Sequence, residues 1–385
     1  MSTVVSPLKH RFPSARKIWL NIHLYLGLTA GFALALTGLT GSLLVFKGPI
    51  LKMEVGDIFD VDGPPPPNAN VDEWIANARR AYSDIKVVNL VVGPGFYLTG
   101  NAAVLGVDLA GNKPSHVTVN PSTGLPLGKF VYDDTYLSFI TAFHAHFAVS
   151  RPWLPWGLTA LACLGVAMIV SMATGLYLWW PRNRNWYAAF TLKRGAVGRR
   201  RLLDLHNLFA VYLYVPLLIV ALTGVDLTRP DWVDPAVSLL STARTLDATA
   251  KTSAPGSCGA RTTPGQAVAL ALARFPSSKF VFINIPQTED APYDLQLRPP
   301  NYIEPQGRTQ VSIDRSCPVI LASIDGEVRV AAETSRAALI PLHSKLMLGA
   351  SGQVIVFLSG LLLPLSFVTG VLLWLNKRRA RPASR

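Results

Sequence analysis

Four stretches of the chain are almost wholly apolar, running roughly over 18–46, 156–180, 202–224 and 353–375. Each reaches the length of about 20 apolar residues that a helix needs to cross a bilayer. Between the first and second stretches, and again between the third and fourth, the pattern changes. Short alternating runs bounded by Gly, Pro, Asn and Asp predict strands there, and one amphipathic run in each segment predicts a helix. In the first segment the helix falls at 71–82 and the strands at 85–92, 102–108 and 116–120, closed by a Pro-Ser-Thr-Gly turn. In the second the helix falls at 264–275 and the strands at 279–285, 293–298 and 309–314. Each segment reads as a small α+β module. Gly63 and the four prolines after it read as a stiff linker into the first module.

The first apolar helix carries a histidine about a turn inside it. His23, Gly27, Gly31, Gly38 and Gly41 share one face at helical spacing. Glycines on a helix face admit close approach of a flat group, so His23, Gly27 and Gly31 are candidate cofactor contacts. A helix–helix packing face with a satisfied polar histidine has the same pattern.

The chain then repeats itself. With His23 set on His206, Gly-Leu-Thr-Gly at 38–41 falls on Ala-Leu-Thr-Gly at 221–224 without a gap. Thr174-Gly-Leu-Tyr-Leu-Trp likewise matches Thr369-Gly-Val-Leu-Leu-Trp. Upstream of these, Phe143-His144-Ala-His146-Phe147 resembles Leu342-His343-Ser-Lys345-Leu346. The spacing to the helix differs by four residues there, at the proline-containing run 151–156. The expected architecture is membrane α-helical: an internally duplicated four-transmembrane-helix bundle with two external α+β modules.

Composition and charge agree with a membrane protein. The 385 residues are 50% hydrophobic and only 15% charged, with net charge +13 and mean hydropathy +0.31. The basic residues gather in the N-terminal tail, in the loop after the second span and in the C-terminal tail, and the loop from Arg182 to Arg201 contains no acid. The positive-inside rule places both termini and that loop on the cytoplasmic side and the two modules outside, which is the periplasm in a Gram-negative cell. The charge thus serves topology and lipid contact, not nucleic acid. The first span is too long for a cleaved signal peptide. The chain divides into a tail and first span (1–48), a first module (49–142), a His segment with the second span (143–181) and a basic loop (182–201). The third span (202–225), second module (226–341), His segment with fourth span (342–376) and tail (377–385) follow. Of the three cysteines, Cys163 lies in the second span, and Cys258 and Cys317 share the second module, where a disulfide can persist.

Seven histidines are present. His10 and His116 read as surface residues. The rest lie at membrane boundaries, and the repeat pairs them: His23 with His206 near the cytoplasmic face, and His144 or His146 with His343 near the periplasmic face. His144 aligns better with His343. Ionisable groups in membrane helices have a partner or a role, and two facing imidazoles can hold a haem iron. The candidates are therefore two haem b groups with His23, His206, His144 and His343 as axial ligands, His146 being the alternative to His144. Copper or a proton relay would use the same residues, whereas zinc would lack half its ligands. Arg16, Lys17, Arg200 and Arg201 on one side, and Arg151 and Lys345 on the other, are candidate partners for haem propionates.

The His-x-x-x-Gly helix with Leu-Thr-Gly, the His segments leading to Thr-Gly-x-x-Leu-Trp, and Val-Thr-Val-Asn-Pro-Ser-Thr-Gly in the first module resemble the PepSY-associated transmembrane-helix family. Within it the chain is similar to bacterial inner-membrane ferrisiderophore reductases over about residues 14–380. Arg315-Ser-Cys317-Pro departs from the pattern where the first module has Pro-Ser-Thr-Gly. The resemblance implies PepSY-like modules, haem in the bundle and reduction of a periplasmic Fe(III)–siderophore complex, making the chain an oxidoreductase of iron uptake. No G-x-G-x-x-G follows a strand, so the electron donor is expected to be a separate reductase or a quinol. Two other classes fit the pattern: a non-redox binding or signalling protein, and a transporter. The parallel repeats and the lack of a visible broken-helix pair speak against transport.

Overall fold

The computed structural model describes residues 14–63, 70–92, 101–109, 114–182, 184–239, 261–300, 302, 307–328 and 331–379. His10, Cys258, the prolines of the 63–67 linker and the ends of both tails lie outside them. Along the chain, α1 (Ala15–Thr29) and α2 (Gly31–Leu44) are followed by α3 (Lys47–Val55) and α4 (Val71–Ala81). Strands β1 (Ile85–Val91), β2 (Ala103–Leu109), β3 (Pro114–Val119) and β4 (Pro126–Phe130) come next, then α5 (Tyr136–His146) and α6 (Leu154–Trp179). After the short α7 (Trp186–Ala189) the same order returns. Helices α8 (Gly198–Tyr212), α9 (Tyr214–Thr228), α10 (Pro230–Ser238) and α11 (Pro264–Arg274) precede β5 (Lys279–Asn284), β6 (Tyr293–Arg298), β7 (Thr309–Ile313) and β8 (Ile320–Ile324). Helices α12 (Ala331–Lys345) and α13 (Gly349–Arg379) complete the order. Ala15 and Gly198, Thr29 and Tyr212, and Gly31 and Tyr214 are each 183 residues apart, the spacing that sets His23 on His206.

The chain forms two compact units: a helical one from residues 1–42, 144–229 and 343–385, and a second from residues 43–143 and 230–342. In the helical unit, α13 is long and apolar enough to cross a membrane, as is the run Tyr136–Trp179 that α6 completes. The other two expected spans are broken. Helices α1 and α2 meet at 57°, and α8 and α9 at 61°, so the spans number four if each bent pair counts as one. This corrects the expectation of no broken-helix pair. The causes are local. In the first, the Thr29 hydroxyl donates to Tyr25 O at 2.8 Å, a back-bond that bends helices, and Gly31 receives the ring of Phe367, which would lie 2.8 Å from an added Cβ. In the second, Pro216 stands in the first turn of α9 and has no N–H to continue the ladder from α8.

The second unit holds one eight-stranded antiparallel sheet, ordered β4-β3-β2-β1-β5-β6-β7-β8. The two expected modules are therefore not separate: β1 pairs with β5 through Asn89↔Asn284, Leu90↔Ile283 and Val91↔Phe282. Helices α4 and α11 lay apolar faces on this sheet. Val71, Trp74, Ile75 and Ala78 of α4 and Ala267, Val268 and Ala271 of α11 share a core with Leu90, Leu105, Val117, Ile283, Leu295 and Val311. Full burial of each larger side chain contributes about 1.5–3 kcal/mol. Asn70 caps α4, and Thr263 with Gln266 forms a capping box on α11. The Asp72 carboxylate joins the two helix starts, accepting from the Thr263 hydroxyl at 2.6 Å and the Gly265 N–H at 2.9 Å.

Strands β4 and β8 were not expected. Strand β4 contains Pro126 and Gly128, poor strand formers that an edge tolerates. The Arg315–Pro318 departure leaves the turn chemistry intact. Asn120 Oδ1 accepts from the Ser122 and Thr123 N–H groups after β3, and Asp314 Oδ1 accepts from the Ser316 N–H after β7; both are Asx turns leading into a hairpin. Cys317 is disulfide-bonded and Cys163 is free. His116 is not the surface residue expected. It sits in β3 with its ring stacked 5.1 Å from that of Phe130, and its Nδ1 is buried without a hydrogen-bond partner among the described residues.

Candidate functional site

The helical unit brings the membrane-boundary histidines together in two pairs. His23 on α1 faces His206 on α8 with ring centres 6.2 Å apart and planes at 79°. His144 on α5 faces His343 on α12 at 6.1 Å and 60°. Every ring is also anchored on a further helix through Nδ1. For His23 the partner carbonyl is Ser171 O on α6 at 3.0 Å, and for His206 it is Ser366 O on α13 at 3.1 Å. For His144 it is Thr37 O on α2 at 3.0 Å, and for His343 it is Val220 O on α9. Helices α1 and α2 thus give a histidine to one pair and a seat to the other, and α8 and α9 do the same. The bends at Ala30 and Leu213 lie between these two duties.

A glycine makes room for each ring. A Cβ added at Gly41 would lie 2.7 Å from His144 Cε1, and one at Gly175 3.1 Å from His23 Cε1. At Gly224 the distance to His343 Cε1 is 3.3 Å, and at Gly370 the distance to His206 Cε1 is 3.5 Å. All four are the glycine of a Thr-Gly pair. The other glycines of the first span serve other ends. Gly31 meets Phe367, Gly38 meets Leu363 and the Gly360 carbonyl, and Gly27 has open space beside it.

His146 has no such seat. Two residues past His144, it points about 200° away around the helix, and its Nδ1 is buried without a partner among the described residues. Directly after it, Phe147 and Ala148 turn the chain towards α6 at φ 58° and 54°, and Leu346 and Met347 turn it towards α13 at 48° and 57°. Such left-handed backbone is costly for residues with a Cβ, and it recurs after both α5 and α12.

The donors fit a metal held from two sides. Two imidazoles bound at about 2 Å, each nitrogen about 1 Å from its ring centre, put the centres about 6 Å apart. Among the described residues no group of three or more His, Cys, Asp or Glu gathers to hold an ion. A lone pair of nitrogens suits haem, whose macrocycle supplies the in-plane ligands. Of the expected propionate partners, Arg200 is engaged with the buried Asp204 at 2.9 Å, and Arg16 donates to Leu178 O at 3.4 Å. Arg151, Lys17, Arg201 and Lys345 are placed at the helix starts and ends without an ion pair among the described residues. Trp179 and Trp180 pack edge-on with Trp186 of α7 at 6.0 and 5.2 Å, and Arg378 lies over Trp374 at 4.9 Å.

Apolar spans, a helical unit and a sheet unit together define a membrane protein. The family model described as the PepSY-associated TM region matches residues 20–377, and the chain belongs to that family. No curated protein matches it.

Proposed function

We propose that the chain is a dihaem membrane oxidoreductase that carries electrons across a bacterial inner membrane and reduces periplasmic Fe(III)–siderophore. One observation supports this above the rest: two histidine pairs, each 6.1–6.2 Å between ring centres, with all four rings anchored through Nδ1. His23 and His206 would hold one haem b, and His144 and His343 the other. When bound, haem supplies one-electron redox chemistry, tuned by its ligands and their surroundings. The duplicated order of elements explains why the sites come as two. The chain's own residues orient the ligands, keep water from them and set the dielectric.

With both termini cytoplasmic, the His23–His206 pair is the receiving side for an electron from a reductase or a quinol, and the His144–His343 pair is the delivering side. One electron converts Fe(III) to Fe(II), which hard oxygen ligands hold more weakly, and iron is released. Protein reduced with dithionite should be reoxidised by ferrisiderophore; no reoxidation by any siderophore tried would count against the reading. The broken spans favour a second reading as a transporter, whose sites lie at such breaks. A transporter needs no haem and would purify colourless.

A further inference from the structure

Each ring meets a second acceptor besides its carbonyl. The Nδ1 atoms lie 3.2 Å from Thr174 Oγ1 for His23, 3.0 Å from Thr369 Oγ1 for His206, 3.3 Å from Thr40 Oγ1 for His144 and 3.0 Å from Thr223 Oγ1 for His343. A threonine hydroxyl has one proton to give. All four give it to their own helix: Thr174 to Ser171 O at 2.9 Å, Thr369 to Leu365 O at 2.8 Å, Thr40 to Thr37 O at 2.9 Å and Thr223 to Ile219 O at 2.7 Å. Facing the ring, each hydroxyl can then only accept. The carbonyl beside it can only accept as well. Nδ1 must therefore carry the proton in the His206, His144 and His343 rings, and Nε2 the lone pair; at His23, where the Ser171 hydroxyl also lies 3.4 Å from Nδ1, the Ser171 carbonyl at 3.0 Å imposes the same tautomer.

We propose that Thr40, Thr174, Thr223 and Thr369 are positioning residues: each fixes the Nδ1–H tautomer of the histidine against it and holds the ring plane in which Nε2 is presented. The proposal rests on the haem reading above. The glycine that follows each threonine lets the ring approach, and the threonine stops it from turning. A helix interior that needed only packing would be served equally by valine, which has the shape of threonine without the acceptor. The same fork of carbonyl, hydroxyl and glycine occurs on α2 and α9, which the repeat relates, and on α6 and α13, which it relates in the same way; the two kinds of helix share no sequence run beyond Thr-Gly.

The test uses the purified full chain. Thr369→Val and Thr223→Val are compared with Thr369→Ser and Thr223→Ser. Haem b is counted per chain, the low-spin ferric signals are recorded by electron paramagnetic resonance, and haem loss to excess apomyoglobin is timed. The g values follow the relative orientation of the two imidazole planes, so they report ring position and not activity. Thr369→Val should shift only the signal of the His23–His206 site, and Thr223→Val only that of the His144–His343 site. Haem should leave the altered site about tenfold faster, the range seen when a ligand's outer partner is removed. The serine variants should stay at the wild-type values. Should a valine variant not accumulate, Thr→Cys, whose sulfur accepts weakly, is measured in its place. Wild type with two haems, and valine or cysteine variants with unchanged g values and haem loss, would overturn the proposal. Serine variants altered as much as valine would overturn it too. A colourless wild type would instead overturn the haem reading.

Discussion

The four seat glycines form a graded series that the chain has built in. Adding a methyl group at Gly370 brings Cβ to 3.5 Å from the His206 ring, an ordinary contact, whereas at Gly41 it comes to 2.7 Å from His144. Carbon atoms rest at about 3.5–4.0 Å, so Gly41→Ala forces the His144 ring back by about 1 Å. Replacing a helical glycine by alanine itself stabilises by about 0.5–1 kcal/mol, and overpacking costs about 1–3 kcal/mol. Gly370→Ala should therefore be neutral or slightly stabilising and keep both haems. Gly41→Ala should lose about 1–2 kcal/mol on balance and weaken the haem at the His144–His343 site by about tenfold or more. Gly175→Ala and Gly224→Ala, at 3.1 and 3.3 Å, should fall between. The assay is haem b per chain from a reduced-minus-oxidised spectrum, paired with thermal unfolding in detergent. If Gly370→Ala loses as much haem as Gly41→Ala, the seats do not position the rings and the reasoning fails.

Two further outcomes follow from the same geometry. His343→Ala should remove one haem and leave the other, and His146→Phe should leave both; a haem lost from the second variant would move the ligand from His144 to His146, and no haem lost from the first would refute the outer pair. In the sheet, burial holds the His116 imidazole below its usual pKa, against the attraction of Asp133. The unfolded chain takes up that proton at about pH 6.5, so the stability His116 contributes is present above about pH 6.5 and is lost as pH falls towards the lowered folded value. His116→Phe should flatten the acid limb of chemical denaturation; an unchanged limb would contradict this.

Much of the unit built by the sheet is legible along the chain, because it depends on local signals. Alternation and caps set α4 and α11 within a residue of the expected ends, and six strands appear where the alternation lies. The union of the modules is not legible. It depends on Asn89 to Val91 finding Phe282 to Asn284, a pairing that no neighbouring residue announces. Strand β4 escapes notice because its Pro126 and Gly128 are acceptable only at a sheet edge. The bend in each odd span is equally hidden: Ala30 breaks no rule, and the ring of Phe367 against Gly31 comes from a helix more than three hundred residues away. In the site, the repeat singles out the four histidines that face one another. Periodicity around His23 points to Gly27, Gly31, Gly38 and Gly41, yet of these only Gly41 lies at a ring, and the other three seats are glycines of Thr-Gly pairs on other helices. A signal was present, since Thr-Gly recurs in all four spans. Its meaning needed the third dimension.

The central claim is that the two histidine pairs hold haem. The most direct measurement is the reduced-minus-oxidised spectrum of the purified full chain with a haem count per polypeptide. About two haem b per chain are expected, both six-coordinate and low-spin. A colourless preparation, or one haem whose ligands survive replacement of His23 and His206 as well as His144 and His343, would contradict it.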